Sequence, residues 1–243
     1  MGEPKKISDI QKNLSGSLCE NCGYQVKSYE LQMVFKDGVA VGTHKKEAGW
    51  CDRCIDVYRR KRDLPEKKKE MNISEQVGSL YLNAKLSDLD KVIIKKLKNL
   101  EYGQDIYIHG SVGTGKTYAM AALLRHYVYE GYACRRINFD DFCIELRSTI
   151  SPGATETEWS VIKPLKTADK LFIDDLGLRS KQESDFAYVT LYSILNKRQE
   201  FMLPTFLTSN KSIDQIGQQF DARIASRLRT AEIIEMNGKD RRK

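Results

Sequence analysis

From about residue 80 onward, short apolar runs alternate with longer stretches in which apolar residues recur at helical spacing. The runs with the length of β-strands are 106–108, 134–139, 171–175, 205–209 and 231–235. An alternation of strands and helices is typical of an α/β domain, in which a parallel sheet carries helices on its faces. The pattern therefore predicts a parallel sheet flanked by helices for residues 80–243.

Amphipathic helices are predicted around these strands. The clearest runs from about Glu183 to Arg198, where one apolar stripe is predicted: Phe186, Val189, Tyr192 and Leu195. Ahead of the first strand, Ser87 is predicted to cap a helix that runs through Leu89 to Leu100.

Residues 1–57 show a different pattern. The run 29–35 is predicted to be a strand, 36–38 a turn and 39–42 the return strand of a hairpin. A hairpin of two strands has too little core to be stable alone. This front segment therefore needs another source of folding energy.

The cysteines of the front segment offer that source. They form two C-x-x-C pairs: Cys19 with Cys22, and Cys51 with Cys54. Each pair places two thiolates on one tight turn, as a tetrahedral Zn²⁺ ion requires, so residues 1–57 are predicted to be a zinc-ribbon-like module. Redox pairs or incidental pairs are the alternative, and His44 could replace one thiol. Cys134 and Cys143 have no partner pair and are predicted to be small core residues.

Residues 58–79 separate this module from the α/β region. The segment is strongly charged, has almost no apolar periodicity and is predicted to be a linker or an exposed helix. Its run Arg59–Arg62 suits contact with phosphates, although such runs are usually solvated faces.

A phosphate-binding loop follows the first predicted strand of the α/β region. The residues Gly110, Ser111, Val112, Gly113, Thr114, Gly115, Lys116 and Thr117 spell G-x-x-x-x-G-K-T. A strand that turns through such a loop into a helix directs backbone N–H groups at one point, which suits the phosphates of ATP. Lys116 is predicted to reach the β- and γ-phosphates, and the Thr117 hydroxyl to hold Mg²⁺. An ordinary glycine-rich turn is disfavoured by this strand–loop–helix context.

Polar residues at the ends of later strands complete the predicted site. Asp174 ends an apolar strand and is predicted to bind Mg²⁺, through water, while Asp175 is placed to polarise the attacking water. Asn210 follows another strand at the same edge of the sheet. Its amide is predicted to hold the water or the γ-phosphate, with capping of the next helix as the alternative.

Arg223 and Arg227 lie at positions i and i+4 of a predicted helix. If protomers assemble side by side, one of these arginines would enter the neighbour's ATP site and stabilise charge in phosphoryl transfer. The alternative is two solvated arginines.

Composition adds limits to these predictions. Hydrophobic residues make up 41% of the chain and charged residues 30%, and no apolar stretch approaches a membrane-spanning length. These features favour a soluble protein of a reducing cytoplasm with no membrane contact. The net charge of +7 permits a polyanionic partner such as nucleic acid.

In the order and sequence of these motifs, the chain from about Leu80 onward resembles the AAA+ helicase loaders of the DnaC and DnaI type. The DnaI branch also has a zinc-binding N-terminal domain, which the four front cysteines resemble. The resemblance implies a bacterial or phage-encoded ATPase that assembles through its AAA+ domain and binds a hexameric replicative DNA helicase and single-stranded DNA. It also implies that Asn210 is the first sensor residue.

Two departures from wider AAA+ patterns matter. The chain ends soon after the run 231–235, which leaves no room for a C-terminal helical lid, and Asp175 stands where many relatives have Glu. The nearest rival is an IstB-type ATP-dependent transposition helper. A small-molecule kinase and a zinc-dependent DNA-binding regulator are weaker alternatives.

Overall fold

In the computed structural model of the protein, the residues described are 33–36, 39–43, 51–98, 100, 103–177, 184–238 and 240, with Cys19 and Cys22. The chain divides into two compact units, Met1–Asp63 and Leu64–Lys243. None of the described helices has the length and apolar character needed to cross a membrane.

The first unit contains a hairpin and a helix. Strands β1 (Met33–Lys36) and β2 (Val39–Thr43) pair in antiparallel fashion, as the alternating pattern predicts. Helix α1 (Asp52–Asp63) carries the basic run at its end, where positive side chains interact favourably with the helix dipole.

The second unit is built on a five-stranded sheet with the order β4-β5-β6-β3-β7. All its pairings are parallel. The strands are β3 (Ile106–His109), β4 (Cys134–Asn138), β5 (Lys170–Asp174), β6 (Thr205–Ser209) and β7 (Glu232–Glu235). Each predicted strand is present, with ends that differ by at most a residue or so. Because the strands are parallel, the carboxyl ends of β3, β5 and β6 lie at one edge.

Helices cover both faces of this sheet. They are α2 (Glu66–Gln76), α3 (Lys91–Lys98), α4 (Lys116–Tyr129), α5 (Phe139–Ser148), α6 (Glu158–Thr167), α7 (Ser184–Glu200), α8 (Ile213–Gln219) and α9 (Ala222–Leu228). The alternation of side chains along each strand divides the core into two clusters. Ile106 and Ile108 pack with α4, whereas Tyr107 packs with the opposite cluster, which includes residues of α5 to α9.

The larger unit begins earlier than the predicted boundary at residue 80. Helix α2 belongs to it because Ile73 is fully buried in the cluster with α4 and Glu70 pairs with Arg125 of α4 at 2.6 Å. The helical interpretation of this charged segment is therefore confirmed, but part of it is core-packed rather than a linker. The predicted cap at Ser87 is wrong, since 86–88 form a 3₁₀ turn and α3 begins at Lys91.

The predicted stripe of α7 is also wrong. Phe186 and Val189 are 41% and 50% exposed, and of the predicted stripe only Leu195 is fully buried. The buried face is Ala187, Tyr188, Leu191, Ile194 and Leu195. Apolar residues occur almost all round this helix, so periodicity alone does not select the face. The deciding contacts are tertiary, for example the stacking of Tyr188 on Phe220.

The two unpaired cysteines lie in or beside the core, as predicted. Cys134 is buried in the cluster that contains α4, and Cys143 is half-buried against the other cluster.

Candidate functional site

The glycine-rich loop lies between β3 and α4, in the predicted strand–loop–helix setting. Gly115 precedes the first helical residue with a φ of 94°, a left-handed conformation that glycine adopts without steric cost. At Gly110, an added Cβ would lie 2.0 Å from the carbonyl oxygen of Met236. The loop therefore requires glycine at its start because the chain after β7 passes directly against it.

Lys116 lies inside this loop. Its Nζ donates hydrogen bonds to the carbonyl oxygens of Gly110 at 2.9 Å and Ser111 at 2.7 Å. The Thr114 hydroxyl donates to the same Ser111 carbonyl at 2.9 Å. These bonds hold the loop closed around the ammonium group, which places a positive charge at the point where phosphate oxygens are predicted to bind.

Asp174 ends β5 and is almost fully buried. Its Oδ1 accepts hydrogen bonds from the hydroxyls of Thr117 at 3.3 Å and Thr208 at 2.5 Å, and its Oδ2 pairs with Arg136 at 2.6 Å. Thr117 and Asp174, the two predicted magnesium ligands, therefore meet. A buried carboxylate beside hydroxyl oxygens is a hard donor set and fits Mg²⁺.

Asp175 follows β5 in a left-handed conformation, with φ at 57°. Its backbone N–H donates to the Thr208 hydroxyl at 2.9 Å, and its Oδ1 accepts a bond from Asn210 Nδ2 at 3.4 Å. The predicted water-polarising carboxylate and the predicted sensor amide are thus neighbours. Capping of α8 by Asn210 is wrong, because the Ser212 side chain accepts from the N–H of Gln215 and forms the cap.

A cavity of about 730 Å³ opens beside these residues. Its lining includes a polar set, Gly113, Lys116, Thr117, Asp175 and Asn210, and a more apolar set, Leu80, Tyr81, Leu89, Tyr118 and Met236. Pockets of this size hold small ligands and cofactors. The polar residues suit phosphates and the more apolar residues suit a base.

Asp88 and Tyr118, which both line the cavity, form a hydrogen-bonded pair. The Tyr118 hydroxyl donates to Asp88 Oδ2 at 2.5 Å. This bond is the main cause that lowers the pKa of Asp88 below its usual range, and a hydrogen bond from Ser87 adds to the effect. The carboxylate therefore stays ionised and acts as a hydrogen-bond acceptor at the rim of the cavity.

Arg223 and Arg227 lie together on α9, away from the cavity lining described so far. Their guanidinium groups lie over the ring of Tyr192, at 5.0 and 5.7 Å from its centroid. Arg223 also pairs with Asp221 at 2.7 Å, and Arg227 donates to Asn196. The structure thus brings the two predicted arginines together on one face of α9, and neither is among the described residues that line the cavity.

In the first unit, the sulfur atoms of Cys19, Cys22, Cys51 and Cys54 all lie within 4.8 Å of one another. All four residues are buried, and the backbone N–H of Cys51 donates to the Cys19 sulfur at 3.2 Å. Burial raises the pKa of the Cys51 thiol, which a bound cation would counteract. Four converging sulfurs fit Zn²⁺. His44, the alternative ligand, lies outside the described residues.

Comparison with known proteins identifies the family of the chain. The sequence profile of the IstB-like ATP binding proteins matches residues 25–243. The chain belongs to this family. The replicative helicase loader DnaI of Bacillus subtilis (strain 168) is 24% identical to this IstB-like protein over 258 residues, which cover 96% of this chain and 80% of DnaI.

Solved structures of helicase loaders share the fold of this chain. A crystal structure of DnaI superposes on the IstB-like chain with a TM-score of 0.58 and 28% identity, over 72% of this chain and 100% of that one. The crystal structure of the DnaC helicase loader gives a TM-score of 0.56 at 19% identity, over 66% and 100%, which bears on the fold alone. The predicted kinship with loaders of the DnaC and DnaI type is confirmed, as is the predicted fold.

Several site residues of this IstB-like protein were missed by sequence analysis. Thr208 and Arg136 contact Asp174, but each lies within a predicted strand, where a polar side chain carries no motif. Tyr81, Leu89 and Met236 line the cavity from segments far apart in the sequence.

Proposed function

We propose that this chain is an ATP-dependent loader or remodeller of a hexameric replicative DNA helicase, which acts in the initiation of DNA replication and contacts single-stranded DNA. The observation that carries the proposal is the similarity to DnaI over 96% of this chain. Since the match extends over nearly the whole chain, it covers the cysteine-bearing front as well as the ATP-binding core. A loader acts on the chromosome, so the proposal includes the bacterial cytoplasm as its setting.

The proposed site binds and hydrolyses ATP. The N–H groups of the P-loop and the Lys116 ammonium hold the β- and γ-phosphates. Thr117 and Asp174 hold Mg²⁺, which supplies positive charge to the phosphates as the γ-phosphoryl group is transferred. The proximity of Thr117 to Asp174, at 3.3 Å, supports this assignment.

Asp175 polarises the attacking water in this proposal, and Asn210 orients that water or the γ-phosphate. Both residues line the cavity and are joined by a hydrogen bond of 3.4 Å. This proximity supports their action on the same water molecule or phosphate. A carboxylate exposed at the cavity is suited to act as a general base toward water.

The protein self-assembles through its ATPase domain in this proposal, and Arg223 or Arg227 completes the ATP site of the adjacent protomer. Both guanidinium groups lie over the ring of Tyr192, so one face of α9 carries two adjacent positive charges, which supports a role toward an anionic group. The front module binds the helicase in this proposal, and it folds around a Zn²⁺ ion held by Cys19, Cys22, Cys51 and Cys54. The rear module binds ATP and single-stranded DNA.

A second candidate function is that of an IstB-type ATP-dependent transposition helper. The family profile, which matches residues 25–243, favours it. Both functions use the same ATPase core, so they differ in the protein that the chain delivers or activates.

The deciding experiment mixes the purified chain with the purified replicative helicase of its source organism and circular single-stranded DNA. We expect a stable complex with the helicase and an ATP-dependent increase in helicase bound to the circle. Lys116→Ala should abolish the ATP dependence, whereas Lys163→Ala, which removes an exposed lysine of α6, should not. Binding to the transposase of the source organism and not to the helicase would favour the second candidate.

A further inference from the structure

The buried carboxylate of Asp174 has a cationic partner that neither its motif nor the proposed chemistry assigns. Arg136, on β4, lies with its NH2 group 2.6 Å from Asp174 Oδ2. The side chain of Arg136 is 18% exposed and that of Asp174 is 4% exposed. The pair is therefore largely shielded from water and from salt.

The arginine is itself held in place. Its NH1 group donates to the Gln76 carbonyl oxygen at 2.9 Å, and its backbone N–H donates to Gln76 Oε1 at 2.8 Å. Gln76 ends α2, and its amide nitrogen donates to Asn72 Oδ1 at 2.5 Å, which fixes the orientation of the amide. The guanidinium group is thus clamped between the end of α2 and the end of β5.

A buried carboxylate requires compensation of its charge. Thr117 and Thr208 donate hydrogen bonds to Asp174 but bring no net charge. Arg136 supplies a full positive charge beside the other oxygen of Asp174, Oδ2. Before nucleotide and metal bind, this ion pair is what makes an ionised carboxylate tolerable at the end of β5.

We propose that Arg136 is a positioning residue and built-in counter-cation of Asp174, and that it sets the Mg²⁺ concentration that the nucleotide site requires. The inference rests on the magnesium role proposed for Asp174. A fixed guanidinium charge beside the carboxylate opposes the approach of a second cation. The site is therefore stable without metal, at the expense of a weaker attraction for Mg²⁺.

The test compares Arg136→Gln with Arg135→Gln in the full chain. Arg135 is the adjacent residue on β4, is exposed, and provides the same change of charge. Binding of a fluorescent ATP analogue is titrated with Mg²⁺, and thermal melting is measured in EDTA without nucleotide. We expect Arg136→Gln to lower the half-saturating Mg²⁺ concentration about tenfold and to lower the metal-free melting temperature. Arg135→Gln should change neither.

Two further variants separate charge from geometry. Arg136→Lys keeps the charge but lacks the planar guanidinium group, which hydrogen-bonds to Gln76 and Asp174 at the same time. It should keep a Mg²⁺ requirement close to that of the wild type while melting at a lower temperature in EDTA. In an Asp174→Asn background, Arg136→Gln should no longer lower the metal-free melting temperature, because there is no carboxylate charge to neutralise.

An unchanged or raised Mg²⁺ requirement in folded Arg136→Gln would overturn the inference. So would a drop in metal-free melting temperature on Arg136→Gln that persists in the Asp174→Asn background. If Arg136→Gln alone does not fold, the variant Asp174→Asn/Arg136→Gln decides: its folding supports the counter-cation role, and its failure contradicts it. None of these measurements uses a helicase, so failure of the loader function would leave their outcome unaffected.

Discussion

At the scale of single residues, the turn after β5 holds two adjacent carboxylates in different environments. Asp174 is buried and bonded to two hydroxyls and an arginine, whereas Asp175 is exposed at the cavity. The left-handed backbone at Asp175 lies at the point where the buried carboxylate is followed by the exposed one. Asp and Asn tolerate this conformation better than most residues, which is consistent with Asp at this position.

We predict that Asp175→Asn abolishes most hydrolysis without weakening ATP binding. Asn fits the same left-handed backbone and can still contact Asn210, but it cannot accept a proton. We expect kcat to fall about a hundredfold or more, with ATP affinity within about twofold of wild type. Phosphate release and calorimetric titration measure the two quantities. Unchanged turnover would remove Asp175 from the chemistry.

The residues of the site were predictable where a motif fixes them. Lys116, Thr117, Asp174 and Asn210 follow from spacing and strand ends, and the structure brings them to one edge of the sheet. Arg136 could not be predicted, because its role depends on the register that places β4 beside β5. A polar residue in a strand is informative only when the neighbouring strand is known.

At the scale of elements, α2 is attached to the P-loop helix α4 by a charged cluster as well as by its apolar face. Glu70 accepts hydrogen bonds from Arg125 and from the Tyr129 hydroxyl. The hydrogen bond from Arg125 is the larger cause, and that from Tyr129 the next, of a pKa for Glu70 below its ordinary value of 4.5. A charged residue of α2 therefore contributes, together with its apolar face, to the packing of α2 on α4.

This pairing predicts a dependence of stability on pH. Because the folded-state pKa of Glu70 is lowered, its stabilisation is fully present above pH 4.5 and is lost as the pH falls through the folded value. Glu70→Gln should lower the unfolding free energy at pH 7 by about 1 kcal/mol at most, since the pair is partly exposed. The difference from wild type should shrink in acid.

Melting curves from pH 7 to below pH 4.5 check this expectation. Glu75→Gln, an exposed change on the same helix, serves as the control and should follow the wild type throughout. A Glu70→Gln deficit that stays constant with pH would mean that the side chain contributes packing rather than charge.

The strands were easier to predict than the helices, for a physical reason. Each strand of the sheet is a short apolar run with a clear end, and β5 and β6 are buried along their whole length. Helix α6 contains Pro164, which disfavours a helix by propensity, yet the Thr157 capping box and burial of Val161 and Leu165 outweigh it. On α7 the choice of face depends on tertiary contacts that no local pattern contains.

At the scale of the whole molecule, the chain combines a small cysteine-bearing unit with a large ATP-binding one. The first unit has a hairpin and a short helix as its described elements, which is too little apolar structure for independent stability. The second unit has a continuous sheet and two clusters of buried residues. The two units should therefore respond differently to removal of metal.

We predict one zinc ion per chain by elemental analysis. Cys51→Ser should release the ion and unfold the first unit, because a structural zinc site supplies much of the folding energy of such a module. Nucleotide affinity should stay within about twofold of wild type, because the P-loop belongs to the other unit. Cys143→Ser is the control, since this half-buried cysteine lies outside the cluster. A metal-free wild-type protein would contradict the prediction.

The last prediction concerns assembly. If Arg223 completes the ATP site of an adjacent protomer, Arg223→Ala should bind ATP normally but hydrolyse it at least about tenfold more slowly, because the arginine acts on charge in the transition state. Arg229→Ala is the matched control, since Arg229 is also an exposed arginine at α9, paired with Asp214. Mixing Arg223→Ala with Lys116→Ala should restore part of the activity, because one interface then combines an intact P-loop with an intact arginine. Phosphate release measured across mixing ratios tests this complementation. Absence of rescue in mixtures that co-assemble would show that Arg223 serves only its local contacts with Asp221 and Tyr192.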